Sequence, residues 1–173
     1  MKNLILLLLL FACGVVPCSA QTKISAIGRC DPNAATQQLA EVGDGADHLL
    51  AVIKNSCAYV KPMVMEGLRS KTYTFTTFSD SLGTKSTQIG YAVVEMDNGD
   101  KAFVRFQGIS IMKNDQPESD EGTWSYTGGT GKLQGLTGKG TYKGAPGVDG
   151  YAEQIEGNYK IAVPKASAPK GKK

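Results

Sequence analysis

Few residues in this chain are of a type that could do chemistry. His48 is the only histidine. A serine triad would need it as the base, yet no Gly-x-Ser-x-Gly elbow occurs. One histidine also excludes the commonest multi-histidine metal sites. It shares a strand face with Leu50 and Val52, where a histidine usually serves as a hydrogen-bonded packing or rim residue. Asp115, Glu118, Asp120 and Glu121 cluster oxygens of the kind calcium takes. Their spacing matches no calcium loop, and Gln116-Pro117 reads as a turn, so a solvated acidic loop is expected. Glycines crowd residues 128–140, but neither a phosphate loop nor a dinucleotide fingerprint fits: position 133 is leucine and position 134 glutamine. No metal and no cofactor is assigned.

The cysteines carry a different message. Of four, two lie in residues 1–20, which read as an export leader: Lys2, an aliphatic run from Leu4 to Leu10, then Cys18-Ser19-Ala20. Cleavage is expected after Ala20. The run is shorter than the roughly 20 residues needed to span a bilayer, and no later segment is longer. A lipid anchor on Cys13 is the weaker alternative, because Phe11 fits a lipobox poorly. The mature chain then keeps Cys30 and Cys57. In an oxidising compartment such a pair is most simply one disulfide, with two buried thiols or one reactive cysteine as alternatives.

Charge bounds the partners. The chain has 19 basic and 16 acidic residues. Five basic residues (Lys2, Lys165, Lys170, Lys172 and Lys173) lie outside 21–163, leaving that body at −2. A nucleic-acid surface is not expected. Residues 164–173 read as a disordered tail rich in lysine, proline and alanine, although such a tail could touch anionic membranes or cell-wall polymers.

The elements that must position any site are strands. Residues 47–53 form an apolar run. Residues 72–78 alternate threonine with Tyr73, Phe75 and Phe78, which favours strand. Residues 35–41 could be a short helix or a strand. Asp97-Asn98-Gly99-Asp100 separates two long alternating runs and marks a two-residue hairpin turn at Asn98-Gly99. That register places Tyr91, Val93, Glu95, Ala102, Val104 and Phe106 on one interior face, within a hairpin covered on both sides. Trp124 and Tyr126 share a face of a later strand. Tyr151, Ile155, Tyr159 and Ile161 share a face of the last one. Eleven of the 21 glycines fall within 122–157, which implies bulges, tight turns and bent strands. The fold class is therefore all-β: a closed antiparallel barrel of about eight strands over residues 21–163, with a β-sandwich as the alternative.

The stretch from Gly122 to Tyr142, Gly-Thr-Trp-Ser-Tyr-Thr-Gly-Gly-Thr-Gly-Lys-Leu-Gln-Gly-Leu-Thr-Gly-Lys-Gly-Thr-Tyr, resembles the Gly-Gly-Thr-Gly signature of the allene oxide cyclase and dirigent β-barrel superfamily. It is most similar to uncharacterised exported bacterial members. The resemblance implies an eight-stranded barrel with an apolar cavity that steers or closes small organic molecules. The glycine signature is architectural and carries no catalytic residue.

The expected function is an exported soluble barrel that binds a small apolar or aromatic molecule, or serves a structural role. The ligand would meet Tyr91, Glu95, Phe106, Trp124 and Tyr126. Catalysis is undecided and the reading leans against it. The alternatives are an isomerase or cyclase using Glu95, and a cell-envelope interaction module.

Overall fold

The computed structural model describes residues 21–114 and 116–162. The leader expected over 1–20 and the tail over 164–173 lie outside the described residues. Ten strands follow in order: β1 (Thr22–Cys30), β2 (Thr36–Glu41), β3 (His48–Lys61), β4 (Val64–Met65), β5 (Leu68–Leu82), β6 (Lys85–Met96), β7 (Lys101–Lys113), β8 (Gln116–Gly129), β9 (Leu136–Gly147) and β10 (Gly150–Ile161). Eight of them close a barrel in the order β1-β10-β9-β8-β7-β6-β5-β3, with β3 returning to β1. Every pairing is antiparallel. The sandwich alternative is thereby excluded, because closure leaves no second sheet.

The two strands outside the ring are short. Residues 36–41 form β2, a strand rather than a helix, which lies on β3 beyond the end of β1. Its six residues are all exposed, so only pairing with β3 holds it. β4 pairs with the start of β5 and tucks Met63 and Met65 under one end of the barrel.

Cys30 and Cys57 face each other across β1 and β3 and form a disulfide. It closes a separation of 27 residues. A loop of that length restricts the unfolded chain by about 3.5 kcal/mol in the chain-entropy account.

The β6–β7 hairpin departs from expectation by one residue. The loop is Asp97-Asn98-Gly99, three residues rather than two. Met96 N–H donates to Asp100 O, and Gly99 N–H donates to Met96 O. Gly99 takes φ +88°, whereas Asn98 stays out of the left-handed region, so this is a turn closed by a glycine bulge. The Asn98 side chain prefers to serve Asp100, accepting from its N–H at 3.0 Å and donating to Oδ2 at 2.9 Å. The extra residue turns β6 over relative to β7. Val94 now faces Ala102, and Glu95 faces Lys101. Ala92, Val94 and Met96 point inward, while Tyr91, Val93 and Glu95 point outward. Tyr91 is 59% exposed. The hairpin is central in the sheet but covered on one side only.

Candidate functional site

The barrel interior is layered along its axis. At one end Met63 and Met65 from the β3–β5 connection, with Leu133 and Leu136 beside β9, are buried and seal the mouth. Tyr126 donates its hydroxyl to the sulfurs of Met63 and Met65, 3.4 Å from each. Above this plug sits an aromatic layer. Trp124 and Tyr126 pack with ring centroids 4.8 Å apart, and Phe106 meets both Phe75 and Tyr142 edge-on. Trp124 Nε1 donates to Thr141 O of the wall at 3.1 Å, so its ring is fixed.

Above the aromatics the wall turns polar. One register row around the barrel reads Ser81, Ser86, Ser110, Asp120, Gly144, Glu153, Gly28 and Tyr59. Such a row is rare in a core, because each buried polar group needs a partner. The serines largely satisfy one another and the wall: Ser86 bonds both Ser79 and Ser81, and Ser110 donates to Ser119 O. The acids are less well provided for. Tyr73 reaches across β1, donating to Glu153 Oε2 at 2.5 Å. It can do so because Gly28 lies beneath its phenol, where any Cβ would collide with the ring. Asp120 Oδ1 and the hydroxyls of Tyr142 and Tyr151 have no hydrogen-bond partner. Tyr151 lies close enough to favour the Asp120 anion but does not reach it in hydrogen-bonding geometry.

These surroundings alter the acids. Burial pushes the Glu153 carboxyl up to about 7, against the opposing pull of the Tyr73 hydroxyl. Glu153 keeps some accessible surface and lines the cavity. Burial also raises Asp120, although Tyr151 and the Gly144 backbone lower it. The phenols of Tyr73, Tyr142 and Tyr151 rise through burial first and the nearby carboxylates second. A space of about 110 Å³ remains between the aromatic layer and the acids. It is lined by Phe106, Trp124, Tyr126 and Tyr142 on one side, and by Asp120 and Glu153 on the other. Such a space holds a few waters or one small ring.

Of the residues expected to line the interior, Phe106, Trp124 and Tyr126 do so. Tyr91 and Glu95 stand on the outer wall, for the register reason above. Glu153 and Asp120 occupy the polar position that Glu95 was expected to fill. Glu153 had a signal in the alternation, since it lies between Tyr151 and Ile155 on their face. Asp120 shares the parity of Gly122 and Trp124, but its acidic neighbours disguised it as loop. The expected turn at Gln116-Pro117 is strand; Asn114, at φ +51°, precedes it. Among the described residues no three His, Cys, Asp or Glu side chains come together as a metal site.

His48 sits at the barrel rim. Its ring nitrogens lie 2.6 Å from Asp44 Oδ1 and 3.0 Å from Asp80 Oδ1. Those two carboxylates raise its pKa. It pins the β2–β3 connection to β5 and lies apart from the cavity.

No family model matches the chain, and no curated protein matches it. Among solved structures it is similar to the conserved protein of unknown function RPA1785 from Rhodopseudomonas palustris. The two superpose with a TM-score of 0.46 at 11% identity, over 80% of this chain and 98% of that one.

Proposed function

We propose that the barrel binds a small aromatic molecule with one polar end. The ring lies against Phe106, Trp124 and Tyr126, and the polar end meets Asp120 and Glu153. The observation that carries this reading is the graded cavity. One side is aromatic, and the other is lined by the carboxyls of Asp120 and Glu153. A phenol hydroxyl can donate to a carboxylate there and accept from a protonated one. The resemblance to the allene oxide cyclase and dirigent superfamily points the same way. Export is part of the reading, supported by the leader-like residues 1–20 and the disulfide.

Trp124 is the only tryptophan, so its emission reports the cavity directly. Titration with p-cresol should shift that emission and raise the melting temperature, and toluene should do so less. Phe106→Ala should weaken p-cresol binding. A panel of single-ring phenols that leaves both signals unmoved would sink the proposal.

A second reading is a proton-transfer enzyme acting on such a molecule. It rests on the Tyr73–Glu153 pair, whose carboxyl titrates near neutrality, where a general acid or base works best. Turnover of a bound substrate that disappears in Glu153→Gln, with binding retained, would favour it over binding alone.

A further inference from the structure

The outer wall carries a groove on the far side of Phe106 and Trp124 from the interior cavity, and these two residues touch both. It crosses β1, β10, β9, β8 and β7 and encloses about 1080 Å³. The wall dips here because Gly140 and Gly157 face inward without side chains, where a Cβ would collide with the Trp124 ring. One register row runs along the groove: Lys23, Asn158, Lys139, Ser125 and Arg105. Cations thus alternate with neutral hydrogen-bonding side chains. Lys23, Lys139 and Arg105 are exposed, and among the described residues none of them makes a salt bridge. Asn158 between them is half-buried, and its Oδ1 has no hydrogen-bond partner. The neighbouring row adds Ser25, Thr141, Thr123 and Gln107 around a single carboxylate, Glu156.

We propose that this groove binds a linear acidic polysaccharide with one carboxylate per disaccharide. The cations stand on alternate strands, so they are ~9.5 Å apart at the usual strand spacing. That is about the length of a disaccharide in an extended β-linked chain. The hydroxyl and amide side chains between them suit sugar hydroxyls. Tyr91 continues the row beyond Arg105 and is 59% exposed, offering one ring face on which a sugar can stack. Nucleic acid fits less well, because its phosphates fall closer together, about 3.4 Å of axis apart along each duplex strand. A densely charged polymer would also meet a body whose net charge is −2. A bilayer is planar and cannot fill a hollow.

The test uses the full chain and a fluorescently labelled hyaluronan octasaccharide, read by anisotropy. Binding is expected, and it should weaken on raising salt from about 50 to about 300 mM as exposed charges are screened. The triple variant K23Q/R105Q/K139Q should bind at least about tenfold more weakly, the scale of three exposed ion pairs. Glu156→Gln should bind more tightly. All these positions are exposed, so unchanged melting should confirm that the fold survives. A control triple at Lys85, Lys101 and Lys113, and a quadruple at the tail residues Lys165, Lys170, Lys172 and Lys173, should each bind like the parent. The proposal is overturned if either control loses as much as the groove variant. It is equally overturned if uncharged cellohexaose binds as well, or if oligo-dT or phosphatidylglycerol vesicles bind more tightly than the octasaccharide.

Discussion

The two ends of the barrel interior are built from the same strands yet follow opposite rules. At the sealed end, Met65, Met96, Ala102 and Leu133 are each 0% exposed, and the hydroxyls present are partnered: Tyr126 bonds to sulfur, Ser70 accepts from Met63 N–H and Tyr159 donates to Glu66. At the other end two carboxyls and several phenols crowd a space that leaves some of them unpaired. The first end gains by excluding water. The second gives up stability to keep protonatable groups in place. The contrast assigns cohesion to one end and any ligand chemistry to the other.

Damage at the sealed end should cost most. Met65→Ala leaves a cavity in a fully buried site, with an expected loss of about 2–5 kcal/mol in chemical denaturation. A loss under about 1 kcal/mol would mean that the plug is not core.

The polar end should reveal itself through pH. Glu153 holds its proton to about 7 when folded but releases it near its ordinary value of 4.5 when unfolded. Its contribution is therefore fully present below about 4.5 and is lost as pH rises through 7, on the order of 3 kcal/mol. Asp120 and His48 are raised as well and act in the same direction. Stability should fall from pH 4.5 to 8, opposite to a protein held by salt-bridged carboxylates. Glu153→Gln should flatten much of that slope. Stability that climbs over this range would contradict the assignment.

A smaller effect is expected at the turn that sets the β6 register. Gly99→Val forces a β-branched residue to φ +88° and should cost about 1–3 kcal/mol. An unshifted denaturation midpoint would remove the bulge account. The smallest effect is expected on the outer wall. Glu95→Gln is exposed and should change stability by no more than about 0.5 kcal/mol, with p-cresol binding unaltered. Loss of p-cresol binding there would return Glu95 to the interior and reverse the register.

Local pattern explains how much of this was legible. The cysteine pair, the β class and the inward set Phe106, Trp124 and Tyr126 follow from composition and period-two alternation, which a strand obeys residue by residue. Glu153 was readable by the same parity. Tyr91 and Glu95 were not, because their orientation depends on a single extra loop residue, and Asn-Gly suits either loop length.

The sequence by itself determined the β class and the glycine-rich bends that curve the strands, and it favoured a barrel over a sandwich because closure removes the edges. Only the tertiary structure decided which face of β6 looks inward, that Tyr73 crosses Gly28 to reach Glu153, and that Lys23, Lys139 and Arg105 share one row. Each of these depends on the register between strands distant in sequence. Register is set by the whole ring of hydrogen bonds closing at once, not by any segment's own preference.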